Sequence, residues 1–248
     1  MSIITAGHSD IGLKRKTNQD SLCLSPKHLF FAVADGMGGH QGGDIASQTA
    51  AKLMPEFFDE TTEEEPESKL TACIKHINKN ILEIAAKNKE LAGMGTTISG
   101  IQYKGPNLYV VNVGDSRCYL IHEGQLYQLS RDHSLVQEKV SMGIYSREMA
   151  RYDEQKNVLV RTVGFDPDVD VDVFRYKVCK NDIFILCTDG LHGLVGDQAI
   201  LDIVNQHLPD PAAVTMDTVK QAVHALIQKA LDNGGKDNVS VIISVAHA

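Results

Sequence analysis

Leu29-Phe30-Phe31-Ala32-Val33-Ala34-Asp35-Gly36-Met37-Gly38-Gly39-His40 is the stretch that decides the reading of this chain. Six apolar residues run without alternation into an acid and a glycine-rich loop. Such a run reads as a strand covered on both faces that delivers the Asp35 carboxylate to its mouth. Ile183-Phe184-Ile185-Leu186-Cys187-Thr188 does the same for Asp189-Gly190-Leu191. The glycine after each acid is expected to let the chain turn sharply and to let a backbone carbonyl face the same spot. Carboxylates carried on separate rigid strands are what a site for hard divalent cations requires.

Outward from these runs, strands are predicted over 2–9, 21–24 and 29–34. A helix is predicted over 43–58, with Asp44 near its start. Glu63-Glu64-Glu65-Pro66 reads as a solvated loop. Leu70, Cys73, Ile74, Ile77, Ile81 and Ala85 then repeat at helical spacing. A β meander follows over 96–103, 107–113, 117–122 and 125–129, with turns such as Glu123-Gly124. Residues 133–157 are polar, the least regular part of the chain, and are expected to be mobile. Strands resume near 170–177 and 182–187. Helices are predicted near 197–207 and 211–231, the second capped by Asp210 with Pro211 in its first turn. A strand over 239–245 comes last. Strands and helices come in blocks and do not alternate. The fold class is therefore α+β, with packed antiparallel sheets flanked by helices, and not a doubly wound parallel sheet.

A chain of 248 residues without a Pro/Ser-rich linker suits one domain. Its net charge of −8 lacks the basic face that a nucleic-acid partner needs. Five cysteines are scattered with no CxxC spacing, the usage of free thiols in a reducing cytosol. No basic segment leads into a long apolar stretch near Met1, and no apolar run approaches the roughly 18 residues of a membrane span. A soluble, cytoplasmic setting without membrane contact is the expectation.

Six acids sit at predicted strand ends or tight turns: Asp20, Asp35, Asp115, Asp132, Asp189 and Asp237. A lone Asp-Gly pair is usually only a turn. Six acids converging without a cation would repel one another by several kcal/mol at low dielectric. Bound divalent metal is the simplest relief, and an all-oxygen donor set points to Mg²⁺ or Mn²⁺ and away from zinc.

Seven motifs then follow in order. They are Arg15-x-x-Asn18-Gln19-Asp20-Ser21, Asp35-Gly36-Met37-Gly38-Gly39-His40, Gly95-Thr96-Thr97, Gly114-Asp115-Ser116-Arg117, Asp132-His133-Ser134, Thr188-Asp189-Gly190-Leu191 and Lys236-Asp237-Asn238-Val239-Ser240-Val241. In this order the chain resembles the metal-dependent serine/threonine protein phosphatases called the PPM family, or type 2C, and among them the compact bacterial enzymes. The resemblance covers about residues 5 to 245. It implies a four-layer α-β-β-α sandwich, one catalytic domain over 1–248, and a flap at about 136–157. It implies that Asp35 bridges two metals, with Asp189 and Asp237 completing one site. The Gly36 carbonyl would bind the other metal, whose waters Asp20 holds. Asp115, with Asp189, would hold a third, weaker ion. Arg15 would grip the phosphate. His40 is the candidate acid for the departing serine or threonine oxygen, a role that suits an imidazole. Arg147 and Arg151 are candidate peptide contacts in the flap. A hydroxide held between the two metals would attack the phosphate monoester in line. Partners would be phosphoserine and phosphothreonine proteins, a cognate serine/threonine kinase among them, met by a monomer. Where relatives often carry Glu-Asp this chain has Gln19-Asp20, one negative charge fewer beside the second metal.

Three rival readings weaken against these residues. A nucleotide cradle at 36–43 lacks both GxxxxGK[ST] and GxGxxG. A nuclease fits the acidic balance poorly. A catalytically silent phosphoprotein-binding member would have lost Asp35, Asp189 or Asp237, and all three are present.

Overall fold

Both apolar runs are interior strands, and their unbroken hydrophobicity follows from the layers packed on either side. The computed structural model describes residues 2–247, apart from the side chains at 39–41, 147–148 and 151. First come β1 (Ser2–Asp10), β2 (Asp20–Ser25), β3 (Phe30–Met37), α1 (Gly39–Glu60) and α2 (Pro66–Lys87). A meander follows of β4 (Gly95–Thr96), β5 (Ile98–Lys104), β6 (Asn107–Val113), β7 (Arg117–His122) and β8 (Gln125–Gln128). Then come α3 (Leu135–Ser141), α4 (Arg147–Tyr152), β9 (Asp172–Lys177), β10 (Ile183–Cys187) and the one-turn α5 (Asp189–His192). The series ends with α6 (Asp197–His207), α7 (Met216–Asp232) and β11 (Val239–His247).

One sheet has the order β1-β11-β10-β7-β8 and the other β2-β3-β5-β6-β9, with β4 paired to β3. Each ladder is antiparallel. Alternate residues of β10 serve two cores. Ile183, Ile185 and Cys187 face α6 and α7, while Phe184 and Leu186 meet the other sheet. In β3, Phe30, Ala32 and Ala34 pack under α1 and α2, while Phe31 and Val33 face between the sheets. The result is the expected α-β-β-α sandwich with three apolar layers. A strand buried on both faces keeps no polar alternation, which is why it reads as a continuous run.

Three local expectations need correction. β3 does not turn at Gly36; it continues through Met37. Gly36 and Gly190 are required by close approach instead, since a Cβ on Gly36 would collide with the Gly43 carbonyl and one on Gly190 with that of Asn238. α1 begins at Gly39 rather than 43, so Asp44 lies inside the helix. The last helix begins at Met216, because the Thr215 and Thr218 side chains cap each other's backbone N–H reciprocally. Asp210 and Pro211 start only a separate 3₁₀ turn at Pro211–Ala213, in which the Asp210 carboxylate accepts from Ala212 N at 2.9 Å.

The expected flap forms two short helices, α3 and α4, with Ser134 and Ser146 as N-caps. Leu135 N donates to Val158 O and Val160 N to His133 O, which ties the base of the segment together.

Candidate active site

Antiparallel pairing brings the acids to one end of the sandwich. Asp20 opens β2 directly opposite Asp35 of β3. Cys187, two residues before Asp189, pairs with both Val241 of β11 and Arg117 of β7. The approach to β11 carries Asp237, and the β6–β7 turn carries Asp115. That turn needs Gly114 in the left-handed region, at φ +106° and pressed on Thr97.

Asp20, Asp35, Asp115, Asp189 and Asp237 lie within electrostatic reach of one another. Burial and then the surrounding acids hold Asp35 and Asp115 well above the ordinary carboxylate range. The same causes push Asp20 up to about 7 and Asp189 up to about 6. Asp35 and Asp189 keep a partial opening to solvent, yet the packed strands around them still desolvate both. Asp35 is hydrogen-bonded to Asp189, which pulls against the rise there. One guanidinium answers this charge directly: Arg15 Nη2 donates to Asp237 Oδ2 at 2.6 Å, with its side chain 48% exposed at the rim.

A shell of hydroxyls fixes the acids. Thr188 Oγ1 donates to Asp20 Oδ2 at 2.8 Å and accepts from Ser240 N at 3.1 Å. Thr97 N and Thr96 Oγ1 both donate to the Asp35 carbonyl, at 2.8 and 2.9 Å. Thr97 Oγ1 also accepts from Asp35 N at 3.0 Å and meets Ser116 Oγ at 2.7 Å. The Asp115 carbonyl is met by His192 Nε2 at 3.0 Å.

Gly36 lies between two backbones: its N donates to Gln19 O at 3.1 Å, and Gly43 of α1 packs against it. The side chains of His40, Arg147 and Arg151 fall outside the described residues, so these three candidates rest on the sequence. Asp132 does not join the set. Arg117 Nε and Nη2 grip both its oxygens at 2.7 to 3.1 Å, and Gln128 adds a bond at 2.8 Å. His133 supports the Asp115 turn, with its Nδ1 accepting from Gly114 N at 3.1 Å and its own N donating to Gly114 O. Burial lowers its pKa, which fits a neutral ring that accepts at Nδ1 and donates from Nε2 to Asp172 at 3.1 Å.

The motifs missed one cation. Lys156, from the segment after α4, is close enough for its charge to favour ionised Asp189. Nothing at sequence level marks it, because it is an isolated lysine in a polar, exposed segment.

The acids fit divalent metal. Five carboxylates share one end with two nearby cations, the donors are all oxygen, and protonation is driven upward where no cation relieves it.

Residues 11–230 match the family described as Protein phosphatase 2C. The chain belongs to that family. It is 35% identical over 242 residues to the serine/threonine phosphatase stp of Listeria innocua, covering 95% of this chain and 92% of that protein. The crystal structure of the Mycobacterium tuberculosis serine/threonine phosphatase PstP/Ppp superposes with a TM-score of 0.89 at 32% identity, over 99% of each chain. The catalytic domain of a serine threonine protein phosphatase PstP in complex with two manganese ions gives 0.86 at 31%, again over 99% of each.

Proposed function

We propose that the chain removes phosphate from phosphoserine and phosphothreonine in proteins at this carboxylate cluster, with Mg²⁺ or Mn²⁺ held there. The class of activity is that of its family: it is a metal-dependent protein serine/threonine phosphatase. The whole chain acts as one catalytic domain, with 136–157 as its flap. Asp35 would be shared by two ions, Asp189 and Asp237 completing one site. The Gly36 carbonyl and, through water, Asp20 would serve the other. Asp115 with Asp189 would hold a weaker third. When bound, such ions supply charge that neutralises a phosphate dianion and an acidified water suited to in-line attack.

The remaining roles belong to side chains. Arg15 stands at the rim, where its fork can turn from Asp237 to a phosphate oxygen and orient the ester. His40 donates the proton to the departing serine or threonine oxygen. Thr188 keeps the Asp20 carboxylate from rotating, and Thr97, braced by Ser116, fixes the backbone that carries Asp35, which holds the geometry through turnover. Arg147 and Arg151 receive the peptide around the phosphoresidue. A monomer acting in the cytoplasm on phosphoproteins, a serine/threonine kinase among them, completes this reading. Among the described residues no helix is long and apolar enough to cross a membrane.

The observation that carries the proposal is the five-acid cluster with too little positive charge, in which Asp20, Asp35, Asp115 and Asp189 hold protons more tightly than ordinary carboxylates. The test is turnover of p-nitrophenyl phosphate and phosphothreonine peptides beside calorimetric ion counts. Activity should require Mn²⁺ or Mg²⁺ and stop with EDTA. Full activity after exhaustive dialysis against EDTA would sink the proposal.

A further inference from the structure

The strands that carry acids to the active end also carry polar groups to the opposite end. His122 ends β7, and Asp182 stands directly before β10. Register places Ile121 against Ile183, so these two residues meet where the ladder runs out. His122 Nδ1 lies 2.7 Å from Asp182 Oδ1. The Cys179 thiol joins them, and the three potential ligand atoms all fall within 4.8 Å of one another.

The setting is built. Asp182 is fully buried, and its second oxygen accepts from Cys179 N at 2.7 Å. The 179–182 turn is closed by Asp182 N donating to Cys179 O. It is pinned to β11 by Asn181 N donating to Ala246 O and Ala246 N to Asp182 O. The carboxylate therefore cannot swing away. The Tyr176 hydroxyl neighbours both Asp182 and Cys179. Of the five cysteines, Cys179 alone is exposed; the other four are buried in the apolar layers. His122 is partly exposed, with 32% of its side chain open. An ion could thus reach the three donors from solvent.

We propose that His122, Cys179 and Asp182 form a zinc-type cation site at the end of the sandwich remote from the acid cluster, with Nδ1, Sγ and a carboxylate oxygen as ligands and water in the fourth position. The donor chemistry selects the ion. Thiolate with imidazole suits borderline-soft Zn²⁺ and disfavours Mg²⁺ and Mn²⁺, the reverse of the all-oxygen set at the other end. At tetrahedral angles, zinc bonds of about 2.0–2.3 Å place ligand atoms roughly 3.3–3.8 Å apart. Small rotations reach that spacing around a fixed Asp182, with the Cys179 thiol moving in and the His122 ring moving off its 2.7 Å hydrogen bond. Binding releases the thiol proton and the proton shared between His122 and Asp182, so affinity rises with pH. The ion would clamp the 179–182 turn to the end of β7. This reading is independent of the chemistry at the acid cluster.

Cobalt makes the site visible, because only a thiolate ligand gives a cobalt–sulfur charge-transfer band in the near ultraviolet. Full-length protein loaded with Mn²⁺ is titrated with Co²⁺ and then with Zn²⁺. The band should grow to one equivalent and be bleached by Zn²⁺. It should vanish in Cys179→Ser, and in His122→Asn the affinity should fall by roughly tenfold or more, at least the effect of losing an outer-sphere partner. Zn²⁺ should raise Tm in the wild type but not in Cys179→Ser, while both variants keep their Mn²⁺-dependent turnover. Absence of the band in the wild type, an undiminished band in Cys179→Ser, or unchanged affinity in His122→Asn would each overturn the proposal.

Discussion

Asp20 and Asp132 are equally buried at 8% exposure, and they stand at the same end of the sandwich. They are satisfied in opposite ways. Asp132 has its own guanidinium, a fork from Arg117 on both oxygens. Asp20 has hydroxyl partners and sits among like charges, so its proton is held up to about 7. A buried carboxylate with an internal counter-charge is finished architecture. One without it is arranged to be neutralised by something that arrives from solution, a proton or a cation.

That contrast breaks first at Asp35. Asp35→Asn should reduce turnover to background and lower the calorimetric ion count, while circular dichroism still reports a folded protein. Wild-type kcat in this variant would erase the distinction between the two kinds of acid.

Arg117→Ala should do the reverse, acting first on stability. It strands Asp132 as a buried unpaired charge, a loss of about 3–5 kcal/mol in chemical denaturation. If the unfolding midpoint does not move, Asp132 is neutralised by something other than Arg117.

Thr188→Val sharpens the comparison at one remove. It removes the hydroxyl between Asp20 and Ser240 N without touching a carboxylate. Metal affinity should fall on the order of 10–100-fold, as for other partners that orient a ligand. Mn²⁺ titrations of activity measure it, and an unchanged half-saturation concentration would refute the orienting role.

The pH dependence of the metal-free protein is a subtler readout. Asp20 and Asp189 are raised in the folded state to about 7 and about 6, against about 3.9 in an unfolded chain. The folded state therefore binds protons more tightly. Its extra stability is complete below about pH 4 and is lost as pH rises through 6 and 7. Other carboxylates, such as Asp172, are lowered and push the opposite way. Comparison with Asp35→Asn isolates the cluster. Metal-free wild type should lose Tm between pH 5 and 7 relative to that variant, and saturating Mn²⁺ should abolish this fall in the wild type. Parallel Tm curves would count against unrelieved repulsion.

The smallest effect belongs to the flap. Replacing Arg147 and Arg151 with alanine should raise KM for phosphopeptides severalfold and leave KM for p-nitrophenyl phosphate unchanged. Equal loss on both substrates would mean that the segment supports the acids and does not receive the peptide.

Much of this was legible because burial on two faces writes itself into β3 and β10 as unbroken apolar runs, and the acids follow those runs directly. Both sheets, their helical covers and the convergence of five aspartates could be read this way. The rest depends on partners distant in sequence. Asp132 looks like its neighbours until Arg117, 15 residues earlier, folds onto it across the β7–β8 hairpin. Gly36 and Gly190 look like turn residues, and only the approach of Gly43 and Asn238 reveals why a side chain is excluded. Asp210-Pro211 imitates a helix start, and the competing Thr215–Thr218 pair takes that role. Lys156 has no local pattern at all.

The β1–β11 ladder has a consequence in time. Ser2 and His247 pair across a separation of 245 residues. β11 sits between β1 and β10, and Asp237 lies on its approach. During synthesis β1 emerges early and must wait without its neighbour until nearly all of the described chain has been made. Closing so long a loop before its contacts form makes folding slow. It also makes the site wait for its last element: a chain cut before Asp237 has neither a closed first sheet nor the full set of acids. The last strand of that sheet and the last acid of the site thus arrive together.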